Sequence, residues 1–367
     1  MSSWRECKLG EVAFFQRGHD LPKTQMNDGL IPVAGSNGII GFHDKSTTKA
    51  PGITIGRSGN IGIPKFYNQE FWAHNTVLYV KDFKGNDEKF VFYLLNTIDL
   101  SGFNSGSAVP TLNRNHIHEI DMRVPPLEEQ KAIAEVLSSL DDKIDLLHRQ
   151  NLTLESLAQT LFRQWFEDKE YDGIVGDIVK LQSGYAFKSK DFQDNGNHGV
   201  LKIKNISNSI IDIFNTDFID SNVANKTDEK FRVLSGDILF GMTGAEIGKM
   251  GIVPQTDKNL WLNQRVGVLK EKYLGAKYLA YLQITSEFGY DYIVNTASGS
   301  AQPNISANEI EQCPFVKLTE DEIKNYSNEI SPLFEKIVFN LGQIQTLENL
   351  RDTLLPKLLS GEVIVTI

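Results

Sequence analysis

Cysteine is nearly missing: Cys7 and Cys313 are the two in 367 residues, too far apart for metal-ligand spacing and too few for a disulfide framework. Both are expected to be free thiols in a reducing compartment. No apolar run reaches the roughly 18 residues that a membrane span requires. The opening MSSWRECKLGEV lacks the basic-then-apolar pattern of a secretory signal. A cytoplasmic protein with no membrane partner is expected.

Catalytic signatures are missing as well. Around GAEIGKM the first glycine is misplaced for a phosphate-binding loop, and Met250 follows Lys249 where Ser or Thr is needed. No G-x-S-x-G occurs. In VPPLEEQ, Val124 and Leu127 flank the prolines where an amino-methyltransferase needs Asn or Asp and an aromatic residue. Glu129-Gln130-Lys131 and Glu322-Ile323-Lys324 match only the end of a nuclease motif and open helical patterns, so they read as solvated helix surface. His116 and His118 alternate on what reads as a short extended segment, with no acid or Cys at ligand spacing. A non-catalytic chain without cofactor or metal is expected.

The net charge of −10 argues at first sight against nucleic acid, but its distribution decides otherwise. Residues 1–125 balance at +1 and 169–317 at −2, whereas the short stretches 126–168 and 318–367 carry −5 and −4. The larger segments are near neutral and free to offer a nucleic-acid face.

What the sequence does contain is an internal repeat. LGEVAFFQRGHDLPK from Leu9 aligns with VGDIVKLQSGYAFKS from Val175, and GITIGRSGNIG from Gly52 loosely with GDILFGMTGAEIG from Gly236. FWAHNTVLYVK from Phe71 matches LWLNQRVGVLK from Leu260, placing Trp72 on Trp261; both indoles are expected in the core. SGSAVPTLNRNHI from Ser105 matches SGSAQPNISANEI from Ser298, and LTLESLAQTLF from Leu152 matches IQTLENLRDTLL from Ile344. Each copy opens with short β-branched and aromatic runs such as ITIG, TVLYV, DILFGM and VGVLK, which predict strands joined by turns.

Each copy closes on a long helical pattern. The first runs without Pro or Gly from Leu127 to Phe166, with Pro126 placed for the first helical position. The second starts at a capping box, Thr319 with Glu322, and runs towards Leu359 before Gly361, interrupted by Pro332 and Pro356. Ile133, Leu137, Leu140, Ile144, Leu147, Asn151, Leu154, Ala158, Leu161 and Trp165 form a seam at coiled-coil spacing. Tyr326, Ile330, Leu333, Ile337, Asn340, Ile344, Leu347, Arg351, Leu354 and Leu358 form its counterpart. Because the second helix must return to bury its seam on the first, the pair is expected to be antiparallel. A constant residue-number total of 491 between facing positions aligns all ten places and brings Asn151 to Asn340.

These features predict an α+β protein with four segments. Strand-rich domains at 1–125 and 169–317 are related by a pseudo-two-fold axis, and an antiparallel two-helix coiled coil, 126–168 and 318–367, bridges them as a dumbbell. Two inverted, non-identical heads suit a bipartite ligand with its own dyad, of which duplex DNA is one; a scaffold joining two protein partners fits the same geometry. The candidate DNA contacts lie in the turns. In the first copy they are Arg57, Asn60, Lys65, Ser105, Ser107, Asn113, Arg114 and His116. In the second they are Lys202, Lys204, Asn205, Thr243, Lys249, Asn263, Gln264, Arg265, Ser298, Ser300, Gln302 and Asn304. Arg suits guanine and Asn or Gln adenine by paired hydrogen bonds, while Lys65 and Arg114 suit phosphates.

VPPLEEQKAI from Val124, LFRQWF from Leu161, LLPKLLSGEV from Leu354 and the two Ser-Gly-Ser-Ala-x-Pro turns, in this order, resemble the specificity subunits of type I restriction–modification systems over essentially the whole chain. The resemblance implies two target-recognition domains reading a split, asymmetric site on double-stranded DNA. It also implies helices that dock two methyltransferase subunits, with restriction subunits joining through those. S-adenosylmethionine, ATP and Mg²⁺ then belong to the partners. A related system with a fused methylase–nuclease partner, a solitary anti-restriction decoy and a scaffold that binds no DNA stay open.

Overall fold

A computed structural model describes residues 4–100, 111–207, 209–244, 247–297 and 304–365. The chain divides into two compact units, the first built from Met1–Lys143 with Leu347–Ile367 and the second from Ile144–Thr346. The architecture is α+β, with a strand-rich region in each unit and two long helices.

In the first unit an antiparallel sheet runs in the order Phe14–Arg17, Val77–Asp82, Gly52–Gly56, Pro64–Tyr67. The central Gly52–Gly56 strand, GITIG, is buried on both faces, which explains its unbroken apolar reading. A smaller sheet, Gly38–His43, Ile31–Gly35, Trp72–Ala73, carries one parallel pair, between the last two strands.

The second unit repeats the plan. Its larger sheet runs Val179–Ser183, Val266–Glu271, Ile238–Gly241, Met250–Ile252 and is extended by Ser209–Ile211 and Ile206–Ser207. Its smaller sheet again holds a parallel pair, His198–Leu201 with Asn259–Leu262. The first three strands of each larger sheet lie in the aligned segments of the repeat and take the same order in both units. The two tryptophans diverge: Trp261 is 4% exposed, while Trp72 is half-buried, edge-on to the His43 ring.

The fold closes each repeat through a glycine. A Cβ on Gly18 would stand 2.1 Å from the His74 carbonyl oxygen, and one on Gly184 2.3 Å from that of Asn263. Both strands therefore leave their sheet through a gap that admits only a hydrogen.

The long helices span Leu127–Phe166 and Glu320–Ser360. Gln130 N–H donates to the Pro126 carbonyl, so Pro126 is the capping residue and not the first helical one. Its missing N–H costs nothing in either place. Thr319 and Glu322 form the reciprocal cap, Glu322 N–H donating to Thr319 Oγ1 at 3.3 Å and Thr319 N–H to Glu322 Oε2 at 2.9 Å. The second helix runs unbroken through Pro332 and Pro356, contrary to the expected interruption. Ile330 and Phe334 beside Pro332 are fully buried, and that packing offsets the lost backbone bond.

The Glu129-Gln130-Lys131 stretch also differs from the solvated surface expected. Gln130 is buried, donates to Asn86 Oδ1 and the Pro125 carbonyl, and accepts from Asp87 N–H. Glu129 accepts from the Trp4 indole. This short segment ties the helix start to the loop before the Glu88–Asn96 helix.

Within the first unit, Ile133 and Leu137 share a core with Leu358 and Leu359, flanked by Leu354. The seam cation Arg351 meets Asp141 at 2.9 Å. Within the second unit, Asn340 Nδ2 donates to Asn151 Oδ1 at 2.9 Å, and the Trp165 and Tyr326 rings lie 4.6 Å apart. Partners descend on one helix as they ascend on the other, so the helices pair antiparallel, and both of these second-unit pairs have the total of 491.

Candidate nucleic-acid interface

In each unit one loop leaves the buried central strand and is held by the same main-chain clamp. In the first, Arg57 N–H donates to the Thr76 carbonyl at 2.8 Å, Leu112 N–H to the Arg57 carbonyl at 2.8 Å, and Gly62 N–H to the Gly56 carbonyl at 2.9 Å. In the second, Met242 N–H donates to the Arg265 carbonyl at 3.1 Å, Ile305 N–H to the Met242 carbonyl at 3.1 Å, and Gly248 N–H to the Gly241 carbonyl at 3.2 Å. Gly59, Gly62, Gly244 and Gly248 all have φ near +80°, a conformation glycine takes without strain. Bridges Ser58–Thr111 and Thr243–Asn304 complete the match.

Onto this shared backbone the two units hang different side chains. In the first, Arg17 from the end of its strand, Arg57 from the clamp and Arg114 from the start of the Arg114–His118 helix line a cavity of about 370 Å³ with Leu78, Thr111, Leu112 and Asn113. Burial, then the charge of Arg17, lowers the pKa of Arg57 from its ordinary value. In the second, Ser183, Met242 and Ala307 hold the three arginine positions, and Ser183 Oγ lies 3.6 Å from Met242 Sδ. Arg265 there stands where the first unit has Thr76.

Of the sequence candidates, Arg57, Asn113 and Arg114 therefore come together, with Asn60 exposed on the adjoining loop. Lys65 lies on the neighbouring strand, opposite Thr54. His116 is exposed; His118 is half-buried and accepts from Phe15 N–H through Nε2. Both belong to a helix, not to the extended segment expected, because the Asn113 side chain caps Asn115 N–H. In the second unit Asn263, Gln264 and Arg265 form one turn, closed by the bond from Val266 N–H to the Asn263 carbonyl. Thr243 and Asn304 pair beside it, and Lys249 is exposed.

Lys202 and Lys204 both bind Asp217, at 2.5 and 2.8 Å. Their hydrogen bonds hold its carboxyl below the ordinary range. Asn205 is a correction: it is buried, donates to the Asp212 and Asn215 carbonyls and accepts from Lys202 N–H. No free amide edge is left to read a base. Ser105, Ser107, Ser298, Ser300 and Gln302 lie outside the described residues. Arg17 was not legible as a candidate, although its place before the invariant turn of the repeat, Gly18 matching Gly184, puts it at the end of a sheet strand beside the clamp.

No group of His, Cys, Asp and Glu able to hold a metal occurs among the described residues. Nor, among them, is any helix long and apolar enough to cross a membrane.

The family model for the type I restriction modification DNA specificity domain matches residues 1–156 and 172–321. The chain is 28% identical over 304 residues to the type I restriction enzyme MjaIX specificity subunit of Methanocaldococcus jannaschii, covering 75% of this chain and 69% of that one. It is 30% identical over 244 residues to the MjaVIII specificity subunit of the same organism, covering 60% and 57%. The crystal structure of a type I restriction–modification S subunit from M. genitalium superposes with a TM-score of 0.67 at 17% identity, over 98% of this chain and 96% of that one.

Proposed function

The chain belongs to the type I restriction–modification DNA specificity family, and on that premise we propose that it selects the DNA site at which a methyltransferase acts. The two strand-rich regions, 1–125 and 169–317, read the two halves of one asymmetric site on duplex DNA. The helices of 126–168 and 318–367 set the spacing and dock two methyltransferase subunits, through which restriction subunits join. The chain itself does no chemistry and works in the cytoplasm; S-adenosylmethionine, ATP and Mg²⁺ are used by its partners.

The observation that carries this reading is the pair of loop clamps. They share the same main-chain bonds and carry two sets of side chains, as expected of two readers of the same polymer at different sequences. The acidity of the helical segments, −5 and −4, suits surfaces that face protein, since DNA repels them. Near-neutral heads supply few phosphate contacts, so the chain alone binds DNA weakly and gains affinity with methyltransferase subunits.

The test is to express the chain with its methyltransferase and sequence the methylated bases. One bipartite motif should appear, vanish on deletion of the chain, and change in one half when residues 1–125 are exchanged for another head. Methylation that persists at the same site without the chain overturns the reading.

A further inference from the structure

We propose that Arg17, Arg57 and Arg114 of the first unit form a cleft that seats backbone phosphate of duplex DNA, and that the equivalent place in the second unit does not. The inference rests on the DNA-specificity reading above. It adds which residues carry the sequence-independent part of binding, and in which unit.

Three arginines from three distant segments line one small cavity. Arg17 is 3.7 Å from Asp20, which is itself shared with the Asn75 amide. Neither Arg57 nor Arg114 has a carboxylate partner among the described residues, and residues 101–110 contain no acid. Three like charges with one shared carboxylate among them repel one another, and an anion arriving between them removes that cost.

The geometry favours phosphate over a base. A guanine edge takes one guanidinium in a bidentate pair, whereas phosphate oxygens accept from several donors at once. Arg57 is also held where it is by its own backbone, clamped to Thr76 and Leu112, so it is positioned before any ligand arrives. At the same three places the second unit has Ser183, Met242 and Ala307, none of them charged. That unit's Arg265 sits on the neighbouring turn.

The experiment compares the full chain, with its methyltransferase subunits, against variants carrying Arg17→Gln, Arg57→Gln and Arg114→Gln singly and together, and against Arg57→Lys. Fluorescence anisotropy on cognate and random duplexes, from about 50 to 200 mM salt, gives the slope of log K against log salt. The triple variant should lose between about one and three phosphate contacts, each worth roughly 0.9 in slope, and weaken equally on both duplexes. Arg57→Lys should keep most of the slope. Ser183→Arg with Ala307→Arg should steepen it. Arg114 is exposed, so its single variant carries the test if the triple variant melts early by circular dichroism.

An unchanged slope in variants of a complex that binds DNA overturns the cleft and leaves the specificity reading standing. Loss confined to the cognate duplex at unchanged slope makes these arginines base readers and also overturns it. A wild-type complex that binds neither duplex overturns both.

Discussion

Asn340 reaches across to Asn151 from the facing helix, its Nδ2 donating to Oδ1 at 2.9 Å. Asn340 is fully buried, yet its own Oδ1 and the Asn151 Nδ2 have no partner. The pair thus satisfies half of its capacity and weakens the seam while fixing it. Asn151→Leu strands a buried amide and should cost about 1–3 kcal/mol. Adding Asn340→Leu should recover most of that loss, because removing both partners leaves nothing unpaired. Urea unfolding of the three variants gives the comparison, and strictly additive losses would show that the amides do not act as a pair.

Tyrosines tie each strand-rich region to the first long helix. Tyr93 donates to Asp141 at 2.6 Å and Tyr281 to Glu155 at 2.9 Å. Burial first, then the carboxylate partner, raises both pKa values above the ordinary phenol value. Tyr278, buried and facing Glu335, Glu271 and Asp237, is pushed up to about 12. A raised folded pKa means that folding favours the protonated phenol. Stability is therefore complete below about pH 10, the unfolded value, and falls as pH rises through the folded one. Denaturant midpoints should drop between about pH 10 and 12, and Tyr278→Phe should flatten that drop. A curve as steep in the variant as in the wild type would count against it.

Gly18→Ala and Gly184→Ala each drive a methyl into a carbonyl of the crossing turn. Backbone lies on both sides and cannot step aside as a side chain would. Each change should destabilise its own unit by about 3 kcal/mol or more. Hydrogen exchange should report faster opening around Val77 for the first variant and around Val266 for the second. Equal protection in wild type and variant would show that the gap is wider than described.

Asp217 holds Lys202 and Lys204, two of the candidate DNA contacts, in ion pairs. Asp217→Asn should tighten binding to any duplex and steepen the salt slope by up to about two contacts of roughly 0.9 each. An unchanged slope would place Lys202 and Lys204 away from the DNA.

The helices were legible because their evidence is periodic. Ten seam positions at alternating spacing leave little freedom of register, and the two asparagines remove what is left. The repeat was legible in its matched motifs, whose strands take equivalent places in the two larger sheets. The arginine cleft was not, because Arg17, Arg57 and Arg114 are far apart in the chain and no local pattern joins them. Asn205 misled for a related reason: Lys-Ile-Lys-Asn looks like a set of donors, but the asparagine closes its own turn. Asn113 was a cap in plain view, and reading it as one would have made the His116 segment helical.

The clamps have a genetic consequence. All three of their bonds run from main chain to main chain, so the ends of the loop are held whatever side chains it displays. Point changes at Arg57 or Met242 alter what is presented without dismantling the support. A segment exchanged between the two halves of the gene at homologous breakpoints would meet the same carbonyl and amide partners in its new host. Duplication followed by unequal drift then needs no refolded intermediate to arrive at two units that display different side chains on one clamp.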